Sequence, residues 1–448
     1  MKLRSTLLLL LACAGLGGYL YFIENKQSTT DEILEQGNRI FQGLKTEEIQ
    51  KFKLEHPGVK ITCQRKTDVS EEWQITEPLT AKADRYVIDQ ILSKLEFLEK
   101  SRVLEKAPPG EYGLQEPQTK ITFWTKNNSH LLAIGNKTAV GNQTYARVDQ
   151  RDSIFVVSEE VESILKKQVA DLRDRKLLMA DVHQVQQFTM KDPSRTLTCK
   201  KQEKEGWEIV GQVSYQGDKN KIEEFLRDWL HLQASEFVQE NSENLAVLGL
   251  DPPSTEISVW IEGQTEPQKL LLGNSPPGRS EIHAKLANQQ NVVLVSSEAN
   301  QWLKKEILEL RDKHLFRGDK EKLSRLEWTQ DGKSWQFEKK ENTWKTILPE
   351  GKTVSENRIK SAIDQLGEVT FLRLVGDKQE SECFPAQGVM ELKVWMEGGL
   401  EPSLILKIGS KFPDLPQYYA KNKDSQEIYG VSAGSVGVFL ALTVEESQ

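Results

Sequence analysis

Apolar residues recur at helical spacing in three places, each time directly after a polar residue suited to a helix N-cap. The three capping positions are Asp84, Asp218 and Ser355, whose side chains can accept hydrogen bonds from the first free backbone N–H groups. Residues spaced i, i+3, i+4 and i+7 lie on one helical face, so each set predicts a helix packed on a core. The sets are Ile88, Ile91, Leu92 and Leu95; Ile222, Phe225, Leu226 and Trp229; and Ile359, Ala362, Ile363 and Leu366.

Short runs rich in β-branched and aromatic residues follow each of these helices and predict strands. Gly-, Asn- and Pro-containing turns separate them, as in antiparallel sheets. A closing helix is predicted after the last run of each set, beginning at Ser158, Ser296 and Ser432. The order strands, helix, strands, helix predicts an α+β fold in which each module is an antiparallel sheet with two helices.

Three markers repeat with one period of about 136 residues, which predicts three tandem modules. The predicted modules span residues 37–178, 179–316 and a divergent 317–448. Because the junctions contain no Pro- or Gly-rich linker, we expect adjacent modules to dock end to end as a stiff rod. The markers are Trp73, Trp207 and Trp344; Trp124, Trp260 and Trp395; and the Leu/Ile-Gly pairs at Gly135, Gly273 and Gly409.

An uncharged apolar stretch over residues 5–23 follows Lys2 and Arg4 at the N-terminus. It is long enough to cross a bilayer as a helix, and the early cations predict a cytoplasmic N-terminus with the bulk of the chain outside. We therefore predict a single-pass transmembrane anchor over residues 5–23, with residues 24–36 as a polar stalk. Cleavage of a signal peptide near Cys13, or lipidation of Cys13 in a loose lipobox, are the alternatives. All three place the chain outside the cytoplasm.

Charge and cysteine content exclude several classes of protein. The net charge is −8 and no basic block occurs, which argues against a nucleic-acid partner. The cysteines outside the apolar stretch are Cys63, Cys199 and Cys383, an odd number without a C-x-x-C pair. Buried apolar thiols are therefore expected in place of disulfides or a zinc site. Motifs for metal ligation or phosphate binding are also missing, so neither metal nor cofactor is predicted.

Ser432 stands in a G-x-S-x-G sequence between a predicted strand and a predicted helix, as a hydrolase nucleophile would. It occupies the same repeat position as Ser158 and Ser296, where the neighbouring glycines are missing. No histidine follows residue 432, although a hydrolase of this type needs one. A helix N-cap explains all three serines, so we expect no catalytic residue and no enzyme.

Two repeated patterns are candidates for interaction. An aromatic-Ala-cation pattern places both side chains on one face of a strand and could form an interaction stripe for a ligand. A Leu-Arg-Asp pattern ends the first two modules and could grip the next module through charge-assisted hydrogen bonds. The stripe comprises Tyr145, Arg147, His283, Lys285, Tyr419 and Lys421, and the junction pattern comprises Arg173, Asp174, Arg175, Arg311 and Asp312.

The chain resembles the bacterial family called domain of unknown function 4340. The resemblance rests on the GGYLYF end of the apolar stretch, a W-x-I strand, a Gly-Leu-x-x-Pro turn, a Tyr-Ala-Arg strand and the Leu-Arg-Asp end. The Gly-Leu turns begin at Gly113 and Gly249, while Phe384-Pro385 stands there in the third module. The family implies membrane-tethered extracytoplasmic proteins, associated with ABC-type export systems, without assigned catalytic residues.

Together these observations lead to a non-enzymatic scaffold or accessory subunit at the bacterial inner membrane, with its bulk periplasmic. Its expected partners are the membrane and an envelope protein, for which an ABC transporter is one candidate. The alternative is an extracytoplasmic protein that binds a glycan or peptide through the stripe, and a hydrolase is disfavoured.

Overall fold

The computed structural model describes residues 37–67, 71–203, 206–299, 304–376 and 378–443. The chain divides into two compact units. One contains Met1–Asp181, Trp229–Glu256 and Gln268–Asn300, and the other contains Val182–Asp228, Ile257–Pro267 and Gln301–Gln448. The predicted anchor at 5–23, the stalk at 24–36 and Cys13 lie outside the described residues. Within the described ranges, no helix is long and apolar enough to cross a membrane.

Three antiparallel sheets dominate the fold, so the expected α+β class is wrong. Strands take 41% of the structure and helices 20%. The first sheet consists of β1 (Ile49–His56), β2 (Val59–Arg65), β3 (Trp73–Glu77), β4 (Ala81–Lys82), β5 (Arg102–Leu104), β6 (Thr119–Thr125), β7 (Ser129–Lys137), β8 (Gln143–Val148) and β9 (Ile154–Ser158). The second consists of β10 (Val185–Lys191), β11 (Thr196–Gln202), β12 (Gly206–Val210), β13 (Tyr215–Gly217), β14 (Glu236–Gln239), β15 (Thr255–Ile261), β16 (Gln268–Leu272), β17 (Ile282–Leu286) and β18 (Val292–Val295). The third consists of β19 (Leu323–Gln330), β20 (Lys333–Lys340), β21 (Thr343–Leu348), β22 (Phe371–Val375), β23 (Met390–Met396), β24 (Leu404–Lys411), β25 (Gln417–Asn422) and β26 (Ile428–Ser432).

The helices are fewer and shorter than the sequence predicts, which explains the error in fold class. One helix of about three turns accompanies each sheet, whereas the predicted closing helix of the first module is broken into two short pieces. In the described ranges the helices are α1 (Arg85–Glu96), α2 (Glu160–Leu165), α3 (Val169–Leu172), α4 (Lys219–Leu230), α5 (Ile307–Leu310), α6 (Glu356–Glu368), α7 (Glu380–Cys383) and α8 (Ala433–Leu440). Single 3-10 turns occur at Thr46–Glu48, Pro109–Tyr112, Val182–Gln184, Lys320–Lys322 and Ala441–Thr443.

All three sheets share one topology. The strand orders are β4-β3-β2-β1-β6-β7-β8-β9-β5, β13-β12-β11-β10-β15-β16-β17-β18-β14 and β21-β20-β19-β23-β24-β25-β26-β22. The third sheet therefore lacks a counterpart of the edge strands β4 and β13. Each sheet falls inside one of the three predicted module ranges, and the repeated topology follows from the repeated pattern of apolar residues.

The predicted helix faces are confirmed. All four apolar positions of α1, α4 and α6 are buried. Asp84 caps α1 by accepting from Tyr86 N–H at 2.9 Å, and Asp218 caps α4 in the same way. The Ser355 side chain makes no capping hydrogen bond, so that part of the prediction is wrong.

The cap predicted at the serine that ends the last strand is confirmed for Ser432, the N-cap of α8, but is wrong for Ser158, because the N-cap of α2 is Glu159. The helix predicted after Ser296 runs into residues 300–303, which lie outside the described residues. Ser158, Ser296 and Ser432 each accept from the backbone N–H two residues further on, at 3.3, 3.2 and 3.1 Å. The Ser432 hydroxyl therefore makes a local hydrogen bond that recurs in all three copies.

In the first and third sheets, the face that turns away from the long helix carries a second, smaller apolar cluster. In the first sheet this cluster contains Leu114, Ala133 and Ile154, with Tyr112 and Tyr145 packed against it. The chain between β5 and β6 covers the sheet here because Gly135 has no side chain: a Cβ at this position would collide with the carbonyl oxygen of Tyr112. The repeated glycine therefore permits a close approach of backbone to backbone.

Candidate functional site

The Leu-Arg-Asp segment at the end of the first module contacts two sheets in succession. Its backbone first lies beside the edge strand β4 and, three residues later, beside the residues that precede β14. The contacts are Asp84 N–H to Leu172 O at 2.8 Å, Arg173 opposite Ala83, Asp174 N–H to Lys82 O at 2.9 Å, Ala234 N–H to Arg175 O at 2.8 Å, and Lys176 opposite Gln233. We call residues 172–176 and these contacts the Arg173 junction; all of them lie in one compact unit.

The corresponding segment at the end of the second module repeats this backbone arrangement in the other unit. It lies beside the edge strand β13 and then beside the residues that precede β22. The contacts are Asp218 N–H to Leu310 O at 2.8 Å, Arg311 opposite Gly217, Asp312 N–H to Gln216 O at 2.9 Å, Phe371 N–H to Lys313 O at 3.0 Å, and His314 opposite Thr370. We call residues 310–314 and these contacts the Arg311 junction.

Arg173 is buried, with a side chain that is 7% exposed. Its guanidinium lies 3.6 Å from the ring centre of Phe237 in β14. It also donates from Nη1 to Oε1 of Glu240 at 2.6 Å, and that glutamate is half exposed. A planar guanidinium stacked on a ring and held by a carboxylate has little freedom to move. The buried arginine therefore ties the first sheet to β14.

Arg311 is held more completely. Its two terminal nitrogens donate to the two carboxylate oxygens of Glu427 at 3.0 and 2.8 Å. Its guanidinium stacks at 3.7 Å on the ring of Tyr215 in β13, with the ring of Phe371 in β22 at 5.2 Å. A bidentate arginine–carboxylate pair combines charge with fixed direction. It joins β13 to the third sheet at the starts of β22 and β26.

Tyrosine hydroxyls complete the surroundings of Glu427. Tyr215 donates to its Oε1 at 3.1 Å and Tyr429 donates to its Oε2 at 3.2 Å. Burial alone would raise the pKa of Glu427, but the hydrogen bonds and charge of Arg311, with the two tyrosine hydroxyls, outweigh burial and lower it. The carboxylate therefore stays ionised with every acceptor position used inside the chain.

The remaining junction residues are also paired. Asp174 forms an ion pair with Lys82 at 3.0 Å, and Arg175 donates to the carbonyl of Ser235 at 3.4 Å. Asp312 lies 2.9 Å from Nε of Arg317. Its second carboxylate oxygen accepts from the N–H of His314, so its pKa is lowered even though burial acts in the opposite direction.

The stripe residues lie on the second face of each sheet, where most of them contact their own sheet and its covering loop. Tyr145 packs edge-on against Tyr112 at 4.6 Å, and Arg147 donates to the carbonyl of Arg151. Tyr419 is buried and stacks on Phe412 at 3.9 Å. Their role as an interaction surface stays a prediction.

In the second and third sheets the basic side chains of the stripe form hydrogen bonds or ion pairs with other residues of the chain. Lys285 is buried and donates to the carbonyls of Leu286 and Gln289, and burial lowers its pKa. His283 is buried as well, with Nδ1 at 2.7 Å from Asn274 O. Lys421 pairs with Glu380 at 2.7 Å.

The three cysteines in the described ranges are free and buried, as predicted. Burial raises the pKa of the Cys63 and Cys199 thiols to about 12, so both stay protonated and unreactive at neutral pH. In the part of the chain that the structure describes, no three His, Cys, Asp or Glu side chains are grouped closely enough to hold a metal ion.

Comparison of the sequence with protein families gives a family match. The family described as Domain of unknown function (DUF4340) matches residues 73–208 and 207–388, in two tandem regions that cover most of the chain. The chain belongs to the DUF4340 family. No curated protein and no solved structure gives a match.

The two DUF4340 regions begin at the repeated tryptophans of β3 and β12. The Arg173 junction residues 172–176 fall in the first region, and Tyr215, Arg311 and Phe371 fall in the second. Glu427 lies beyond the matched residues. The third sheet thus supplies the carboxylate of the Arg311 junction from a part of the chain that the DUF4340 match does not cover.

The sequence pointed to both junction arginines of this DUF4340 protein but missed their partners. Glu240 follows β14, whereas Glu427 precedes β26, so the two glutamates hold no common position in the repeat. The aromatic partners differ too: Arg173 uses Phe237, and Arg311 uses Tyr215 and Phe371. Repeat comparison finds residues that occupy one position in every copy, so it could not have found these.

The Arg173 junction allows a comparison of its two charges. We expect Arg173→Met to speed amide hydrogen exchange at Asp174 and Ala234 at least about tenfold, because stacking and the ion pair are both lost. Glu240→Gln should change exchange less than about threefold, since the amide oxygen of glutamine can still accept from Arg173 Nη1 and the stack on Phe237 is kept. Hydrogen exchange followed by mass spectrometry measures both. Equal effects of the two variants would contradict the assignment of the junction to the buried arginine.

Proposed function

We propose that this protein is a non-enzymatic scaffold, attached to the bacterial inner membrane by the apolar segment 5–23 with its bulk in the periplasm. It would hold an envelope protein partner, and an ABC-type export system fits the proposal. The supporting observation is the use of the buried charges. Arg173 and Arg311 each pair with a glutamate beside a neighbouring strand, and the hydrogen bonds of Glu427 come from residues of the same chain.

This arrangement suits a protein that holds other molecules in fixed positions. Arg311 and Glu427 line a groove of about 400 Å³, but their charges are paired with each other across sheet edges, whereas a catalytic or ligand site keeps charged groups directed toward its substrate. In each junction the chain pairs with one sheet edge and, three residues later, with the residues beside another strand. So short a connection allows little movement between these two contacts. The ligand-binding alternative receives less support because His283, Lys285 and Tyr419 are buried.

The test is the size of the assembly that contains the full-length protein in native membranes. After mild crosslinking and extraction, we expect the tagged chain to migrate in a discrete assembly larger than itself, together with a second envelope protein. Arg311→Met should reduce this assembly while a variant of an exposed cation, Lys200→Met, leaves it unchanged. Migration of the wild-type chain alone under all crosslinking conditions would refute the scaffold function.

A further inference from the structure

The first sheet has a groove beside residues 37–44. At the corresponding place in the third sheet, another part of the chain contacts the sheet. Residues 37–44 approach the first sheet with Arg39 opposite Glu99, as His314 lies opposite Thr370 at the third sheet. Between this segment and the last strands lies a groove of about 360 Å³. Its lining includes Arg39, Gln42, Lys100, His130, Arg151 and Phe155.

The equivalent groove at the third sheet, of about 400 Å³, is partly lined by another part of the chain. Phe155 in β9 and Tyr429 in β26 hold the same position, each following the isoleucine that begins its strand. Around Tyr429 the groove is lined by Tyr215 of β13 and by Arg311, and both side chains bond to Glu427. At the third sheet, then, an edge strand and a side chain of opposite charge to Glu427 form one wall of the groove.

The first groove carries an excess of positive charge. Where the third sheet presents the carboxylate Glu427, the first groove presents Arg39, Lys100 and Arg151, with Glu48 as the acidic residue of the lining. Among the described residues, none of these three cations has a carboxylate within ion-pair distance. Arg39, which lines the groove, also stacks on the ring of Phe97 at 4.4 Å, which restricts the motion of its guanidinium. The nearby His130 faces Asp149 at 3.5 Å.

We propose that the groove defined by Arg39, Lys100, Arg151 and Phe155 binds an extended acidic segment of the partner protein. The partner's strand would take the place that β13 takes at the third sheet, and its carboxylates would pair with the three unpaired cations. Phe155 is buried at the groove floor and offers the apolar contact that Tyr429 offers in the third sheet. This inference rests on the proposed scaffold function and names where the partner binds.

A defined peptide tests the chemistry. The probe is a fluorescein-labelled peptide of alternating glutamate and valine, titrated by anisotropy into the purified full-length protein. We expect Arg39→Glu with Arg151→Glu to weaken binding at least about tenfold, because two attractive charges become repulsive. Lys191→Glu with Lys200→Glu makes the same change in net charge on exposed strands and should alter binding less than about twofold. Equal weakening by both pairs, or no binding of the probe, overturns the proposal.

A photocrosslinker at Gln42 in native membranes tests the occupant. The expected adduct lies on an acidic extended segment of another envelope protein and is lost in the Arg39→Glu, Arg151→Glu variant. An adduct on residues 24–36 of the same chain, or binding of that groove to phosphatidylglycerol vesicles in preference to the peptide, overturns the proposal. If the large assembly persists but the groove captures nothing, the groove assignment fails alone; if no assembly exists, the scaffold function fails with it.

Discussion

Replacing Glu427 with leucine is expected to lower the free energy of unfolding of its unit by about 3–5 kcal/mol, because it leaves Arg311 buried without a counter-charge. Only 7% of the arginine side chain is exposed, so water cannot replace the lost carboxylate. The hydroxyl of Tyr215 loses its acceptor in the same substitution. Urea unfolding, with hydrogen exchange of peptides covering residues 213–218 and 424–432, measures the loss and its location.

The matched control is the exposed pair of Arg279 and Glu281. They lie 3.0 Å apart, but the arginine side chain is 40% exposed and the glutamate 28%. Glu281→Leu should therefore cost less than about 1 kcal/mol. A double variant, Arg311→Met with Glu427→Leu, should recover part of the loss by removing the stranded charge. A similar cost for both single variants would show that Glu427 does not hold the Arg311 junction.

The contribution of Glu427 should also depend on pH. Its pKa in the folded protein is lowered from the usual value of 4.5, so the carboxylate stabilises the fold above that value. The stabilisation is lost as the pH falls through the lowered folded pKa. The stability difference between the wild type and Glu427→Leu should accordingly be constant near neutrality and shrink on acidification below 4.5. A difference that stays unchanged into strong acid would exclude the ionised carboxylate as its source.

The sequence predicts those parts of the molecule that depend on local periodicity. The faces of α1, α4 and α6 follow from helical spacing, and the cap at Ser432, with the equivalent hydrogen bonds of Ser158 and Ser296, follows from their repeat position. The fold class was wrong for a related reason. The short edge strands β4 and β13 span two and three residues and carry no periodic signal, while the closing helix contains too little apolar face to stay continuous. Sheet edges depend on distant contacts that short patterns do not encode.

In the candidate site, too, the residues of a repeated local pattern could be predicted, and the residues brought in from distant loops could not. Arg173 and Arg311 could be predicted because a Leu-Arg-Asp pattern recurs in the chain. Glu240 and Glu427 could not, because each carboxylate reaches its arginine from a different loop. The groove at Arg39 was also not predictable from the sequence, since two of its cations, Arg39 and Arg151, are more than 100 positions apart. Only the fold places Arg39 next to Arg151.

Replacing Gly273 with alanine is expected to destabilise the protein by about 3 kcal/mol, although the change adds a single methyl group. That methyl group would collide with the carbonyl oxygen of Leu248 and press on the side chain of Leu250. The same carbonyl accepts a hydrogen bond from Asn274 N–H at 2.8 Å, so backbone must move for the methyl group to fit. Thermal unfolding and the exchange rate of the Asn274 amide measure the effect.

Gly437→Ala is the control for this substitution. Gly437 lies within α8, and a Cβ there meets nothing within 4 Å. Because alanine favours the helix and restricts the unfolded chain, this variant should gain about 0.5–1 kcal/mol. Opposite signs for the two changes are the expected outcome. A loss below about 0.5 kcal/mol for Gly273→Ala would mean that the loop does not approach the sheet this closely.

The glycine result would also decide how the aromatic-Ala-cation pattern is understood. At Gly135, Gly273 and Gly409 an added Cβ would collide with the carbonyl oxygen of a covering loop, at Tyr112, Leu248 and Cys383 respectively. In the first sheet that loop places Tyr112 against Tyr145, one of the stripe residues. If alanine at these glycines lifts the loop, Tyr145 and Tyr419 should become exposed, with a measurable increase in tyrosine accessibility to solvent quenchers. The pattern would then recur because each sheet needs an aromatic residue beneath its covering loop, and recognition of a partner would fall to the groove at Arg39.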